Sequence, residues 1–158
     1  EHSWRMALMA YFLRDQFPNA DLTRVLLMAL LHDIGEVFTG DIPTFEKTDD
    51  DRAREHELRD EWIDALPAPY AAEVRSLFTE MDAMETEEAK IVKALDRMEA
   101  VITHNEGDPH TWLPLEYELQ RTYGVKEAAF SPVLKNLRAE VNNEVDAVIA
   151  ALAKEKTI

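Results

Sequence analysis

The sequence predicts one all-α domain, and three features carry that expectation. Leu, Ala, Glu, Met and Arg are abundant, β-branched runs are scarce, and apolar residues recur at helical rather than strand spacing. Only 4 glycines and 7 prolines occur, and they fall between the helical stretches. With 158 residues the chain can bury a real core, so residues 1–158 are read as a single domain.

Taken in order, residues 2 to about 17 return Trp4, Leu8, Tyr11 and Phe12 at helical spacing. Phe17-Pro18-Asn19-Ala20-Asp21 breaks that helix, and Asp21 suits the N-cap of the next. The second helix is expected to reach about residue 38. Its run Val25-Leu26-Leu27-Met28-Ala29-Leu30-Leu31 is apolar nearly all round, which marks it as the central buried element.

Thr39-Gly40-Asp41-Ile42-Pro43-Thr44 reads as a loop. A strongly charged helix follows over about 50–66, with Leu58, Trp62 and Leu66 along one side, until Pro67-Ala68-Pro69 breaks it. Helices over about 70–81 and 86–104 come next, the latter with Ile91, Val92, Leu95, Met98, Ala100 and Ile102 as its apolar members. Residues 105–110 are loop, and 112–123 form a less regular segment. Ser131-Pro132, an N-cap residue followed by a first-turn proline, opens a last amphipathic helix to about 154.

Composition removes several function classes. With no cysteine, there is no disulfide framework, zinc-thiolate site or thiol nucleophile; this fits a cytoplasmic protein. No apolar stretch approaches the roughly 18 residues of a membrane span. The chain begins with Glu1 rather than Met, so part of the natural N-terminus is expected to lie outside it. Lys and Arg number 17 against 32 Asp and Glu, a net charge of −15, which argues against binding a phosphate backbone. An anionic small substrate would have to be attracted locally, by a cation or a few placed basic side chains.

The candidate chemistry centres on His32-Asp33, at the end of the apolar run and followed by Ile34-Gly35-Glu36. Burying an imidazole and a carboxylate together is costly unless they are paired or bound to a metal. Glu36 lies one turn on and faces the same side. Asp96 sits between Leu95 and Met98 on an apolar helix face, where Lys93 or Arg97 could pair with it. The residues alone leave ion pair and metal ligand both open for Asp96, and His2 alone carries no signal.

The order His2, His32-Asp33, Asp96, each in a separate helix, resembles the H…HD…D signature of the HD-domain metal-dependent phosphohydrolases. Glu1-His2-Ser3, the stretch His32-Asp33-Ile34-Gly35-Glu36 through Gly40-Asp41-Ile42-Pro43-Thr44, and residues 88–96 are similar to the 5′-deoxynucleotidase-like branch. That resemblance spans nearly the whole chain. It implies an HD-domain helical bundle of five core helices with additional C-terminal helices, and a homodimer.

It further implies that His2, His32, Asp33 and Asp96 hold one divalent cation. Two imidazoles and two carboxylates suit octahedral Mn²⁺, Co²⁺, Fe²⁺, Ni²⁺ or Mg²⁺ better than a closed tetrahedral zinc site. Glu36 and Asp41 would serve in general acid–base roles. Lys47 or Lys93 would steady a phosphate, although a surface salt bridge is the commoner fate of each.

His56 is expected to face solvent. His104 and His110 lack companions for a second metal, so the site is read as mononuclear, and Trp112 is assigned to the core. The favoured function is hydrolysis of deoxyribonucleoside 5′-monophosphates, with no nucleic-acid or membrane partner. The competing readings are action on ppGpp, a cyclic dinucleotide or a triphosphate, and a metal-binding scaffold without catalysis.

Overall fold

The computed structural model describes residues 1–155. Nine α-helices occur among them: α1 (His2–Leu13), α2 (Leu22–Leu31), α3 (Glu36–Thr39), α4 (Asp49–Asp64), α5 (Ala68–Ala83), α6 (Glu87–Glu106), α7 (Glu116–Thr122), α8 (Val125–Ala128) and α9 (Pro132–Glu155). No strand occurs among the described residues, and no helix there is long and apolar enough to cross a membrane.

Local chemistry sets several boundaries. The Asp21 carboxylate accepts the backbone N–H groups of Thr23 and Arg24 at 2.9 and 3.2 Å, starting α2 as expected. Thr48 and Asp51 form a reciprocal capping box at the head of α4. Pro69 does not delay α5, which starts at Ala68, because a first-turn proline forfeits no helical hydrogen bond.

Two expectations are corrected. The central buried element is α6 rather than α2: α6 buries eight residues, among them Leu95 and Met98, and packs against α1, α2, α5, α8 and α9. In α2, Leu30 is exposed. On α1, Met6, Ala7 and Ala10 face the core, while Trp4, Leu8, Tyr11 and Phe12 stay exposed. The small alanines let α1 lie close against α2 and α6, and the larger side chains are left outside.

The second correction concerns the stretch through His32. Regular α2 ends at Leu31, not near residue 38. His32 N–H still reaches Met28 O, but Ile34 bonds back to Leu31 and Glu36 to Asp33, each three residues earlier. This tighter turn is pinned against α4. A Cβ on Gly35 would lie 2.6 Å from Glu55 Cγ and 3.1 Å from the Glu55 carbonyl oxygen, so only glycine fits. Gly124, at φ +78°, serves similarly before α8, where a Cβ would meet the Arg97 Cβ at 2.9 Å.

Candidate metal centre

Three helices deliver the candidate ligands. His2 comes from the first turn of α1, His32 and Asp33 from the tight turn after α2, and Asp96 from the middle of α6. His2, His32 and Asp33 each offer a ligand atom, all within 4.8 Å of one another. Asp96 Oδ1 lies 3.4 Å from His2 Nε2 and 3.7 Å from His32 Nε2, and Asp33 Oδ2 lies 3.0 Å from His32 Nε2. Three of the four residues named from the sequence thus cluster tightly, and Asp96 lies beside the two histidines.

The outer nitrogen of each imidazole is engaged elsewhere. His32 Nδ1 lies 3.0 Å from the Ala29 carbonyl, to which it donates. His2 Nδ1 is hydrogen-bonded to Glu99, a carboxylate only 2% exposed. Both Nε2 lone pairs are thereby aimed inward. His32 Nε2 is buried without a hydrogen-bond partner although a carboxylate oxygen sits 3.0 Å away. Two lone-pair atoms so close repel unless a proton or a cation lies between them. The donor set thus fits a divalent cation.

Without a cation, protons fill that role. Burial lowers the His32 pKa, but the adjacent carboxylates of Asp33 and Asp96 more than reverse this, raising it to about 10. His2 shifts up for the same reasons, its partners being Asp96 and Glu99. Burial pushes the Asp96 carboxyl up, yet the two imidazoles and Lys93 hold it well below the ordinary carboxylate range. Lys93 donates to Asp96 Oδ2 at 2.7 Å while Oδ1 faces the histidines. The ion pair and the inward-facing oxygen coexist, so the two options open in the sequence are compatible. Arg97 turns away, pairing with Glu127 at 2.8 Å and lying over the Tyr123 ring.

A cavity of about 590 Å³ opens beside this cluster. His32, Asp33, Glu36, Lys47, Lys93 and Asp96 line it. Glu36 is half-buried and accepts from Lys47 Nζ at 2.9 Å. Burial raises the Glu36 pKa and Asp33 and Asp41 add to it, against the opposing pull of Lys47. Lys47 sits between Glu36 and Glu55, almost covered, and these two carboxylates outweigh burial to raise its own pKa. Asp41 is exposed on the loop after α3 and is not part of the cavity wall.

His56 is exposed, as expected, but at the cavity's edge. His104 stacks on the buried Trp112, and His110 pairs with Glu155 at 3.2 Å; neither approaches the cluster. Sequence reasoning missed Glu99, Glu55 and the cavity arginines Arg52 and Arg59, and it weighed Arg97 only as a partner of Asp96. The available signal for Glu99 was its place one helical turn after Asp96, on the same face.

The sequence profile of the HD domain family matches residues 1–138. The chain is 32% identical to the mouse (Mus musculus) 5′-deoxynucleotidase HDDC2, over 98% of this chain and 77% of that protein. It is 31% identical to the human (Homo sapiens) 5′-deoxynucleotidase HDDC2, over 98% and 76%. Its fold matches the crystal structure of a predicted metal-dependent phosphohydrolase from Magnetospirillum magnetotacticum MS-1, with a TM-score of 0.76 and 30% identity over 94% of this chain and 77% of that one. An all-helical bundle with this kinship defines the class of metal-dependent phosphohydrolases. The chain belongs to the HD domain family.

Proposed function

We propose that the protein hydrolyses deoxyribonucleoside 5′-monophosphates to nucleoside and phosphate, using one divalent cation held by His2, His32, Asp33 and Asp96. The observation that carries this is the buried, unbonded His32 Nε2, facing Asp33 and Asp96 at the wall of a cavity of about 590 Å³. The cavity is large enough for a small phosphorylated metabolite. The mouse and human relatives are named 5′-deoxynucleotidases, which supports the substrate class.

A bound cation supplies Lewis-acid polarisation of the phosphoryl group and a lowered pKa for water. Glu36 takes the proton of the attacking water, and its raised pKa brings that exchange nearer neutrality. Asp41 is carried over as the second acid–base group on the resemblance alone, since it is exposed and lies outside the cavity wall. Lys93 and Lys47, both on the cavity wall, steady the phosphate. Both lysines are already paired with carboxylates, so with the protein's net charge of −15 the cation held at the centre would supply the positive charge that admits an anion.

We further place the protein in the cytoplasm as a homodimer. The apolar stripe Trp4, Leu8, Tyr11 and Phe12 on α1 supports the dimer, and sedimentation velocity showing only monomer would remove it.

The activity is tested by phosphate release from ribo- and deoxynucleoside 5′-mono- and triphosphates with Mn²⁺, Co²⁺ or Mg²⁺. Deoxymonophosphates should lead, and Asp33→Ala should cut turnover by about a thousandfold. Turnover unchanged in Asp33→Ala would sink the metal centre. A preference for triphosphates would sink the substrate assignment alone. Metal uptake without turnover on any ester would favour the inactive scaffold.

A further inference from the structure

The two histidines of the metal centre are oriented by different means. His32 donates Nδ1–H to a neutral backbone carbonyl, Ala29 O. His2 donates to the carboxylate of Glu99, which is only 2% exposed. Burying a carboxylate is costly unless its partners compensate, so what Glu99 faces matters.

Glu99 faces three groups. Thr103 donates its hydroxyl to Oε1 at 2.6 Å, and Arg5 Nε lies 3.3 Å from the same oxygen. The other oxygen, Oε2, belongs to His2. Arg5 is more than one-third exposed and has its own surface partner, Glu106, at 2.8 Å. An exposed arginine already paired with a surface carboxylate does not require a buried one as well. The Nδ1–H of His2 is the donor that only Glu99 serves.

Helix geometry makes the arrangement economical. Asp96 and Glu99 are one turn apart on α6, so they share a face. Asp96 presents Oδ1 to the centre, and Glu99 grips the far side of the histidine that completes it. One rigid, deeply buried helix thereby fixes both a ligand from α6 and a ligand from α1.

We infer that Glu99 is a positioning residue of the metal centre. It locks His2 with Nε2 as the lone-pair atom, makes that imidazole a stronger donor than His32, and thereby raises the affinity for a divalent cation. This rests on the metal-centre reading proposed above. A carboxylate behind a metal-bound histidine raises ligand basicity and fixes ring orientation, and its loss weakens metal binding about ten- to a hundredfold.

The test is equilibrium titration of Co²⁺ into the metal-free protein, read by visible absorption and by competition with a chelating dye. Glu99→Leu should weaken Co²⁺ binding by about ten- to a hundredfold. Glu99→Gln keeps an acceptor for Nδ1–H but no charge, and should fall between Glu99→Leu and wild type. Circular dichroism melts report folding for each variant; if Glu99→Leu does not fold, Glu99→Gln alone decides. Glu106→Gln removes the other carboxylate partner of Arg5 on α6 and should leave affinity within about twofold, the scatter expected of an exposed pair. Unchanged Co²⁺ affinity in a folded Glu99 variant overturns the inference, even if its melting point falls. Equal weakening by Glu106→Gln overturns it too, because Glu99 would then act through Arg5 rather than His2. A wild-type protein that binds no Co²⁺ defeats the metal-centre reading itself, and this inference with it.

Discussion

Two of the places where the described residues bury charge solve the problem in opposite ways. Around His2, His32, Asp33 and Asp96, charged groups face one another with an unbonded nitrogen at the middle. At Arg138 on α9, also only 2% exposed, the guanidinium is surrounded by neutral acceptors. It donates to the carbonyls of Gln120 and Tyr123 at 2.6 and 2.9 Å and to Asn142 Oδ1 at 2.6 Å. Burial lowers its pKa, yet a guanidinium keeps its proton in a protein. The Arg138 cluster is complete as it stands and ties the end of α7 to α9. The candidate metal centre is complete only with a proton or a cation. Finished charge sets serve stability, and unfinished ones serve chemistry.

Paired substitutions can break this contrast. Asp33→Ala should cut kcat/KM by about a thousandfold, since several kcal/mol of charge stabilisation is at stake. Asp33 is partly exposed on a turn, so the melting temperature should move by less than about 3 °C. Arg138→Met should do the reverse. It strands three acceptors that folding has taken from water, a cost of about 2 to 3 kcal/mol, which lowers Tm by about 4 to 12 °C. Below that melting range its kcat/KM should stay within about threefold of wild type, because Arg138 touches none of the candidate metal ligands and reaches the cavity wall only through the Tyr123 backbone carbonyl. If the two variants lose activity and stability in the same proportion, the division of labour is wrong.

The pH dependence sharpens the comparison further. The folded pKa of His32, about 10, lies above its ordinary value of 6.5. In metal-free protein the stability contributed by protonated His32 is therefore fully present below about pH 6.5 and is lost as pH rises toward 10. A cation needs the neutral imidazole, so its affinity should tighten over the same interval, by about tenfold per pH unit for each proton released. The gap in Tm between metal-loaded and chelator-treated protein should widen from pH 6.5 to 9. A gap that stays constant would mean that no ligand proton is displaced. The Arg138 region should not respond over this range.

Legibility in the sequence followed the same division. His32-Asp33 was readable because polar residues closing an apolar run stand out, and the resemblance then drew in His2 and Asp96. Asp21 and Ser131-Pro132 were readable because capping is local chemistry. Glu99 was hidden because it looks like one more acidic residue on a charged helix, and its role depends on His2 lying 97 positions away. Arg138 was hidden likewise: its acceptors are mostly backbone carbonyls, which carry no sequence signature. The early end of α2 depended on Gly35 meeting Glu55 of α4, a contact that helical periodicity does not encode. The exposed stripe on α1 was recognised as helical, but which face the bundle covers is decided by neighbouring helices.

The smallest effect expected is at Lys93, where both kinds of role meet in one side chain. Its ammonium holds Asp96 Oδ2 at 2.7 Å and also lines the cavity. It is substantially exposed, so its pairing with Asp96 contributes little and its loss should change rates by less than about fivefold. The direction is informative. Lys93 competes with a cation for Asp96, so Lys93→Met should tighten Co²⁺ binding slightly. If Lys93 also steadies the phosphate, KM should rise while kcat stays near wild type. A fall in kcat with unchanged KM would instead place Lys93 with the groups that orient Asp96. Weaker Co²⁺ binding would mean that the lysine preorganises the carboxylate more than it competes for it, and the metal centre would then depend on its own internal ion pair, as the Arg138 cluster depends on its carbonyls.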